Sequence, residues 1–191
     1  PANEIRISGE GEVLVRGEGV CRSYLGDLPA DVDADGFLAT GDLGTLDEDG
    51  FLTLGGRKSE IFKTSTGRKV APLPVEYALR RLPGVDQAVL LGAGNKAPVA
   101  IITLMATRAE SDLATFASTL AARIPEALRD LPTYSHPAGL LVLRTPFGIA
   151  SGELTSNLKL RRAVIQSRHK DALDELFARL ENESLFVAQL D

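Results

Sequence analysis

Polar and apolar residues alternate along Glu4-Ile5-Arg6-Ile7-Ser8 and again along Glu12-Val13-Leu14-Val15-Arg16. With Gly9 and Gly11 between them, the two runs predict a hairpin of half-buried strands. A second hairpin is predicted at residues 46–52, where Asp49-Gly50 supplies the positive φ of a tight turn. Glu60-Ile61-Phe62-Lys63 reads as one more short strand, followed by a polar turn that ends at Gly67. From Pro72 the period changes. Val75, Ala78, Leu79 and Leu82 share a helical face, and Pro83-Gly84 stops that helix. Residues 86–91 and 99–104 read as strands joined by Gly92-Ala93-Gly94-Asn95, a turn without the Lys-Ser/Thr and helix of a phosphate loop. Leu113, Phe116, Ala117, Leu120, Ile124 and Leu128 make a longer stripe, with Ser111 as its N-cap and Pro125 expected to kink or split it. Residues 139–143 form a third strand, and Leu173, Leu176, Phe177 and Leu180 mark a last helix. The fold class is α+β, with a strand-rich first part and a second part built on a three-stranded sheet with packed helices.

The 191 residues are 44% hydrophobic and 25% charged, ordinary for one or two globular domains. Charge is unevenly spread. Residues 1–56 hold three Lys/Arg against twelve Asp/Glu, and residues 57–191 hold eighteen against fourteen. The change of sign at Arg57 places a boundary there. A net charge of −5 argues against nucleic acid as a partner. Cys21, the only cysteine, excludes an intrachain disulfide, fits a reducing cytoplasm, and reads as a small buried strand residue. His136 and His169 have no partners at zinc-ligand spacing, so no metal site is expected.

Two points are chemically dense: Thr40-Gly41-Asp42, read as a glycine-flanked turn, and Gly56-Arg57-Lys58. Asp42 offers two acceptor oxygens suited to vicinal hydroxyls, and Arg57 offers five donors suited to phosphate or ribose oxygens. A third point lies in Glu153-Leu154-Thr155-Ser156-Asn157-Leu158-Lys159-Leu160-Arg161-Arg162, where a lone lysine ends a polar loop.

The motifs run in order: Asp35-Gly36-Phe37 with Thr40-Gly41-Asp42, Leu46-Asp47-Glu48-Asp49-Gly50-Phe51, Gly56-Arg57-Lys58, then Lys63 to Pro72 with Val75-Glu76. This order resembles the adenylate-forming (AMP-binding) enzymes. Lys63 to Pro72 and the Thr155–Arg162 segment match the long-chain fatty acyl-CoA synthetase branch best. The resemblance implies a small β-barrel-like subdomain fragment in residues 1–56, ending a large N-terminal domain that is missing. It implies a mobile C-terminal lid in residues 57–191, hinged near 57–59 at Ser59. Lys159 falls on the catalytic lysine, Asp42 and Arg57 on the nucleotide site, and Gly67, Arg68 and Lys69 on the coenzyme A side. Two departures stand out: Leu158 where many members have glycine, and Thr155-Ser156-Asn157 where the branch has Thr-Pro-Thr. From Lys159 to Lys170 there are five Lys/Arg and no acid. That run reads first as a solvated helix face, and second as an attractor of coenzyme A phosphates.

The implied function is an ATP-dependent acid–thiol ligase, which forms an acyl-adenylate from a fatty acid and passes the acyl group to coenzyme A. ATP or AMP, Mg2+ held mainly by the missing domain, and coenzyme A are the implied cofactors and co-substrates. Peripheral association of the parent with a membrane is left open, as is acyl length. The chain begins at Pro1 and carries neither a Ser/Thr/Gly-rich phosphate loop nor an acyl pocket. It therefore reads as a piece of a longer protein, expected to be inactive alone. The alternatives are an acyl-AMP or acyl-carrier-protein ligase of the same superfamily, and a catalytically silent interaction module. The presence of Asp42, Arg57 and Lys159 together argues against the last.

Overall fold

The structure, a computed structural model, describes residues 3–21, 23–24, 28–29, 31–105, 113–182 and 187–190. The chain divides into two compact units, Pro1–Ile61 and Phe62–Asp191.

The first unit holds β1 (Glu4–Ile7), β2 (Glu12–Arg16), the short pair β3 (Ser23–Tyr24) and β4 (Leu28–Pro29), β5 (Leu38–Leu46) and β6 (Leu52–Arg57). Its main sheet has the order β1-β2-β5-β6, antiparallel throughout, and is curled as a half-barrel. The two predicted hairpins are both present. Asp47 Oδ1 accepts the backbone N–H groups of Asp49 (3.1 Å) and Phe51 (2.8 Å), so the aspartate side chain closes the β5–β6 turn. Phe37 is 3% exposed, and the guanidinium groups of Arg6 and Arg16 lie 4.3 and 4.5 Å from its ring centroid. Cys21, expected in a buried strand, is instead exposed and outside the strands. The predicted strand at 60–63 is shorter than expected, because Lys58–Glu60 forms a 3₁₀ turn.

The second unit opens with β7 (Phe62–Lys63) and β8 (Lys69–Val70), a small hairpin around Gly67. After α1 (Pro72–Arg80) come β9 (Val85–Leu91), β10 (Val99–Leu104), α2 (Leu113–Ala127) and β11 (Gly139–Leu143). The unit continues with α3 (Arg162–Arg168), α4 (Lys170–Asn182) and β12 (Val187–Leu190). The three predicted strands form a sheet with β9–β10 antiparallel and β10–β11 parallel, and β12 joins beside β11 in parallel.

Both faces of this sheet are covered, which explains the near-continuous apolar runs of β10 and β11. Ala88, Leu90, Ala100, Ile102, Leu140 and Val142 pack with Val75 and Leu79 of α1 and Phe116, Leu120 and Ile124 of α2. On the opposite face Val89, Leu91, Ile101 and Leu141 pack with Ile165 of α3 and with Leu173 and Leu176 of α4. Phe147 and Leu154 of the intervening segment join that second layer. Pro125 does not split α2, which continues through it to Ala127. Proline there removes one backbone hydrogen bond, and the helix ends two residues later. The expected N-cap, Ser111, lies outside the described residues. Among the described residues no helix is long and apolar enough to cross a membrane.

Candidate active site

In the first unit Thr40, Gly41 and Asp42 lie within β5 rather than in a turn, but the strand is distorted there. Gly41 has φ +73°, and the register with β6 shifts between Leu43 and Gly44. That register sets Asp42 opposite Arg57. Arg57 Nε lies 2.8 Å from Asp42 Oδ1, and its Nη1 donates to Thr40 O at 3.4 Å. The pair is half-exposed, with side chains 52% and 30% accessible. An ion pair of that kind contributes about 0–1 kcal/mol, so a ligand that takes over either group displaces little.

The distorted stretch of β5 behind it is held by a residue that the sequence did not single out. Glu12 Oε1 accepts the N–H of Gly41 at 3.0 Å, and Oε2 accepts from Lys58 Nζ at 3.0 Å. Lys58 also pairs with Glu10 at 2.9 Å, and its hydrogen bonds to Glu10 and Glu12 hold its ammonium well above the usual lysine value. Thr40 Oγ1 donates to Val13 O (2.8 Å) and accepts the N–H of Asp42 (3.1 Å). Ser59 sits in the 3₁₀ turn, and the two units divide just beyond it, between Ile61 and Phe62.

In the second unit Gly67, Arg68 and Lys69 stand together on the exposed β7–β8 turn. Gly67 needs its glycine for its φ of +80°, since a Cβ there would meet nothing within 4 Å. The Arg68 guanidinium lies 5.5 Å from the Tyr134 ring centroid. Backbone bonds from Ser65 N to Asn95 O (2.9 Å) and from Gly94 N to Lys63 O (2.9 Å) fasten this turn to the β9–β10 turn.

Lys159 belongs to the same unit as Gly67, at the tip of a tight hairpin. Leu154 and Leu160 pair across its base. Leu158 N donates to Thr155 O (2.9 Å), Thr155 N to Lys159 O (2.9 Å), and Lys159 N to Thr155 Oγ1 (3.0 Å). The tip is exposed. Among the described residues no hydrogen bond or ion pair reaches the Lys159 ammonium. Leu158 is in the left-handed region at φ +60°, a conformation that costs a non-glycine residue about 1–2 kcal/mol.

The base of this hairpin is firmly held. Gln87 accepts the N–H of Phe147 (2.7 Å) and donates to its carbonyl (3.2 Å). Arg161 N donates to Glu153 O (2.8 Å), and Arg161 Nη1 to Gly152 O (3.1 Å). Glu153, 4% exposed, accepts from Ser151 Oγ and pairs with His169 Nε2 at 3.0 Å. Burial pushes the Glu153 carboxyl up, but the hydrogen bonds from Ser151 and His169 and the charges of His169 and Arg168 together hold it below the usual glutamate value. Arg162 pairs with Glu76, which is 3% exposed. One signal for Glu76 was present in the sequence: it is an acid on the same helical face as Pro72, Val75 and Leu79. Gln87, Glu153 and His169 gave no comparable signal.

The structure thus unites Asp42 with Arg57 in one unit, and places Lys159 and the Gly67 turn in the other. Residues 60–181 match the family model of the AMP-binding enzyme C-terminal domain. The chain belongs to the AMP-binding enzymes. Among characterised members, it is 35% identical to the long-chain-fatty-acid–CoA ligase FadD15 of Mycobacterium tuberculosis over 197 residues, 93% of this chain and 33% of that one. The fold of AMP-binding enzymes extends over both units. The AMP complex of the A-PCP didomain of carboxylic acid reductase from Segniliparus rugosus covers 95% of this chain and 28% of its own, with a TM-score of 0.74 and 21% identity. O-succinylbenzoate coenzyme A synthetase from Bacillus subtilis in complex with AMP covers 84% and 33%, with a TM-score of 0.62 and 30% identity. The chain therefore spans about a third of the length of these AMP-binding relatives.

Proposed function

We propose that the chain is the C-terminal part of an ATP-dependent acid–thiol ligase that activates a long-chain fatty acid as its acyl-adenylate and transfers the acyl group to coenzyme A. The observation that carries this reading is Lys159, an exposed ammonium at the tip of a hairpin whose base is anchored. The identity to a long-chain-fatty-acid–CoA ligase over 93% of the chain supports the substrate class.

In the first half-reaction a fatty carboxylate oxygen attacks the α-phosphorus of ATP, a P–O bond forms, and pyrophosphate leaves. Negative charge gathers on the α-phosphate and carboxylate oxygens. Lys159 supplies a preorganised cation there, which typically contributes about 2.7–4 kcal/mol. Asp42 accepts from the ribose hydroxyls, and Arg57 donates to ribose or phosphate oxygens. In the second half-reaction the coenzyme A sulfur attacks the acyl carbon and AMP leaves. The lid is proposed to turn about Ser59 between the steps, bringing Gly67, Arg68 and Lys69 to the thiol's arm. Mg2+ would be held mainly by the N-terminal domain of the parent; among the described residues no group of three or more His, Cys, Asp or Glu gathers to hold a metal ion.

The test is Lys159→Ala in the full-length parent. Pyrophosphate exchange should fall about 10²–10³-fold, while thioester formation from supplied acyl-adenylate is largely spared. Equal loss in both half-reactions, or no loss in the first, overturns the assignment. The isolated chain should release no pyrophosphate from ATP and fatty acid. Product that forms on a carrier protein and not on coenzyme A would reassign the acceptor.

A further inference from the structure

Thr64 is 5% exposed, although residues 65–69 beside it are all exposed. A buried hydroxyl is costly unless it is hydrogen-bonded, so where its bonds go matters. Glu76, Thr103 and Glu153 are also buried, and their side chains bind residues on other segments of the chain. The Thr64 hydroxyl serves its own turn instead. Its Oγ1 accepts the N–H of Arg68 at 3.2 Å and lies 2.9 Å from Thr66 Oγ1. The backbone closes the same ring: Thr64 N donates to Arg68 O (3.0 Å), and Gly67 N donates to Thr64 O (2.9 Å). Thr64 therefore holds residues 66, 67 and 68 at once.

Gly67 lies inside this ring at φ +80°, and the space where a Cβ would stand is open. Glycine populates many other conformations as readily, so its neighbours must select this one. The flanking strands β7 and β8 have two residues each, too few to fix the turn by ladder pairing alone. We propose that Thr64 is a positioning residue for the thioester step. Its hydroxyl holds the turn in the shape that leaves the Gly67 backbone open to the arm of coenzyme A. Without that hydroxyl the Arg68 N–H loses an acceptor, and Gly67 is free to leave φ +80°. A small misplacement of a group that guides a substrate is enough to slow a step. The inference rests on the reading of the Gly67 turn given above, and every residue in it belongs to the second unit.

The experiment uses Thr64→Val, which keeps the branched shape and removes the hydroxyl, and Thr64→Ser, which keeps the hydroxyl and removes the methyl group. Gly67→Ala tests the underlying reading. All three are made in the full-length parent. Thr64→Val should lower kcat/KM for coenzyme A, measured from supplied acyl-adenylate, by about tenfold. Its pyrophosphate exchange should stay within about twofold of wild type. Thr64→Ser should stay within about twofold in both half-reactions, and Gly67→Ala should lower thioester formation. If Gly67→Ala lowers it and Thr64→Val does not, the positioning role is wrong and the reading of the turn stands. If Gly67→Ala leaves it unchanged, the reading of the turn itself fails. Equal losses in both half-reactions for Thr64→Val indicate a general structural defect and overturn the proposal. A loss in Thr64→Ser as large as in Thr64→Val also overturns it, because the methyl group and not the hydroxyl would then be what matters.

Discussion

Arg162 grips Glu76 with both terminal nitrogens, Nη2 at 2.8 Å from Oε2 and Nη1 on Oε1, while Oε1 also accepts the N–H of Leu90 at 2.7 Å. Arg162 follows Lys159 by three residues, so this pair ties the far foot of the lysine hairpin to α1 and β9 at once. Arg162→Ala leaves the Glu76 carboxylate buried without its cation. The isolated chain should lose about 3 kcal/mol in urea unfolding. The double substitution of Glu76→Leu with Arg162→Met should recover most of it, because apolar replacement of a buried pair is often neutral.

Glu153 makes part of the stability pH-dependent. Its folded-state pKa is held below the ordinary value of 4.5. Its contribution is therefore complete above about pH 4.5 and is lost as pH falls through the lower folded value. Glu153→Gln should cost about 2 kcal/mol near neutrality, the scale of hydrogen bonds to a charged group. The gap between variant and wild type should close as the medium is acidified below pH 4.5. Urea titrations across that range would measure it; a gap that stays constant from pH 7 to pH 3 would mean that the carboxylate charge is not what holds Ser151 and His169.

Asp42 should matter for nucleotide and not for folding. Its bond to Arg57 is between half-exposed groups and contributes little to stability. Asp42→Ala in the full-length parent should raise KM for ATP by about 10–100-fold, the equivalent of losing a charged hydrogen-bond acceptor. Unfolding midpoints should shift by less than a degree or two. Nucleotide binding can be followed by calorimetry with AMP.

Much of the fold was legible because burial imposes periodicity. The α1 and α4 stripes and the apolar runs of β9, β10 and β11 follow directly from elements covered on one or both faces. The strand β12 left a weaker trace, since it pairs in parallel beside β11 and lies 44 positions beyond that strand's end. Of the candidate site, Asp42, Arg57 and Lys159 were visible as chemistry-bearing residues in ordered motifs. The pairings that support them were not. Glu76 and Arg162 are 86 positions apart, Gln87 and Phe147 are 60 apart, and Glu12 and Gly41 are 29 apart. No local pattern couples residues so distant. The conformation of Leu158 was hidden for another reason: leucine carries no turn signal, so nothing in its identity announces a left-handed backbone.

Gln87 meets both backbone groups of Phe147, much as a neighbouring strand would. At the other end of the same stretch, Arg162 is fixed to Glu76. The length of chain between those two moorings is therefore set. Residues gained or lost there by evolution or engineering can be absorbed at two exposed turns, 149–150 and 156–158, and a change at the second would alter how far the amine of residue 159 extends.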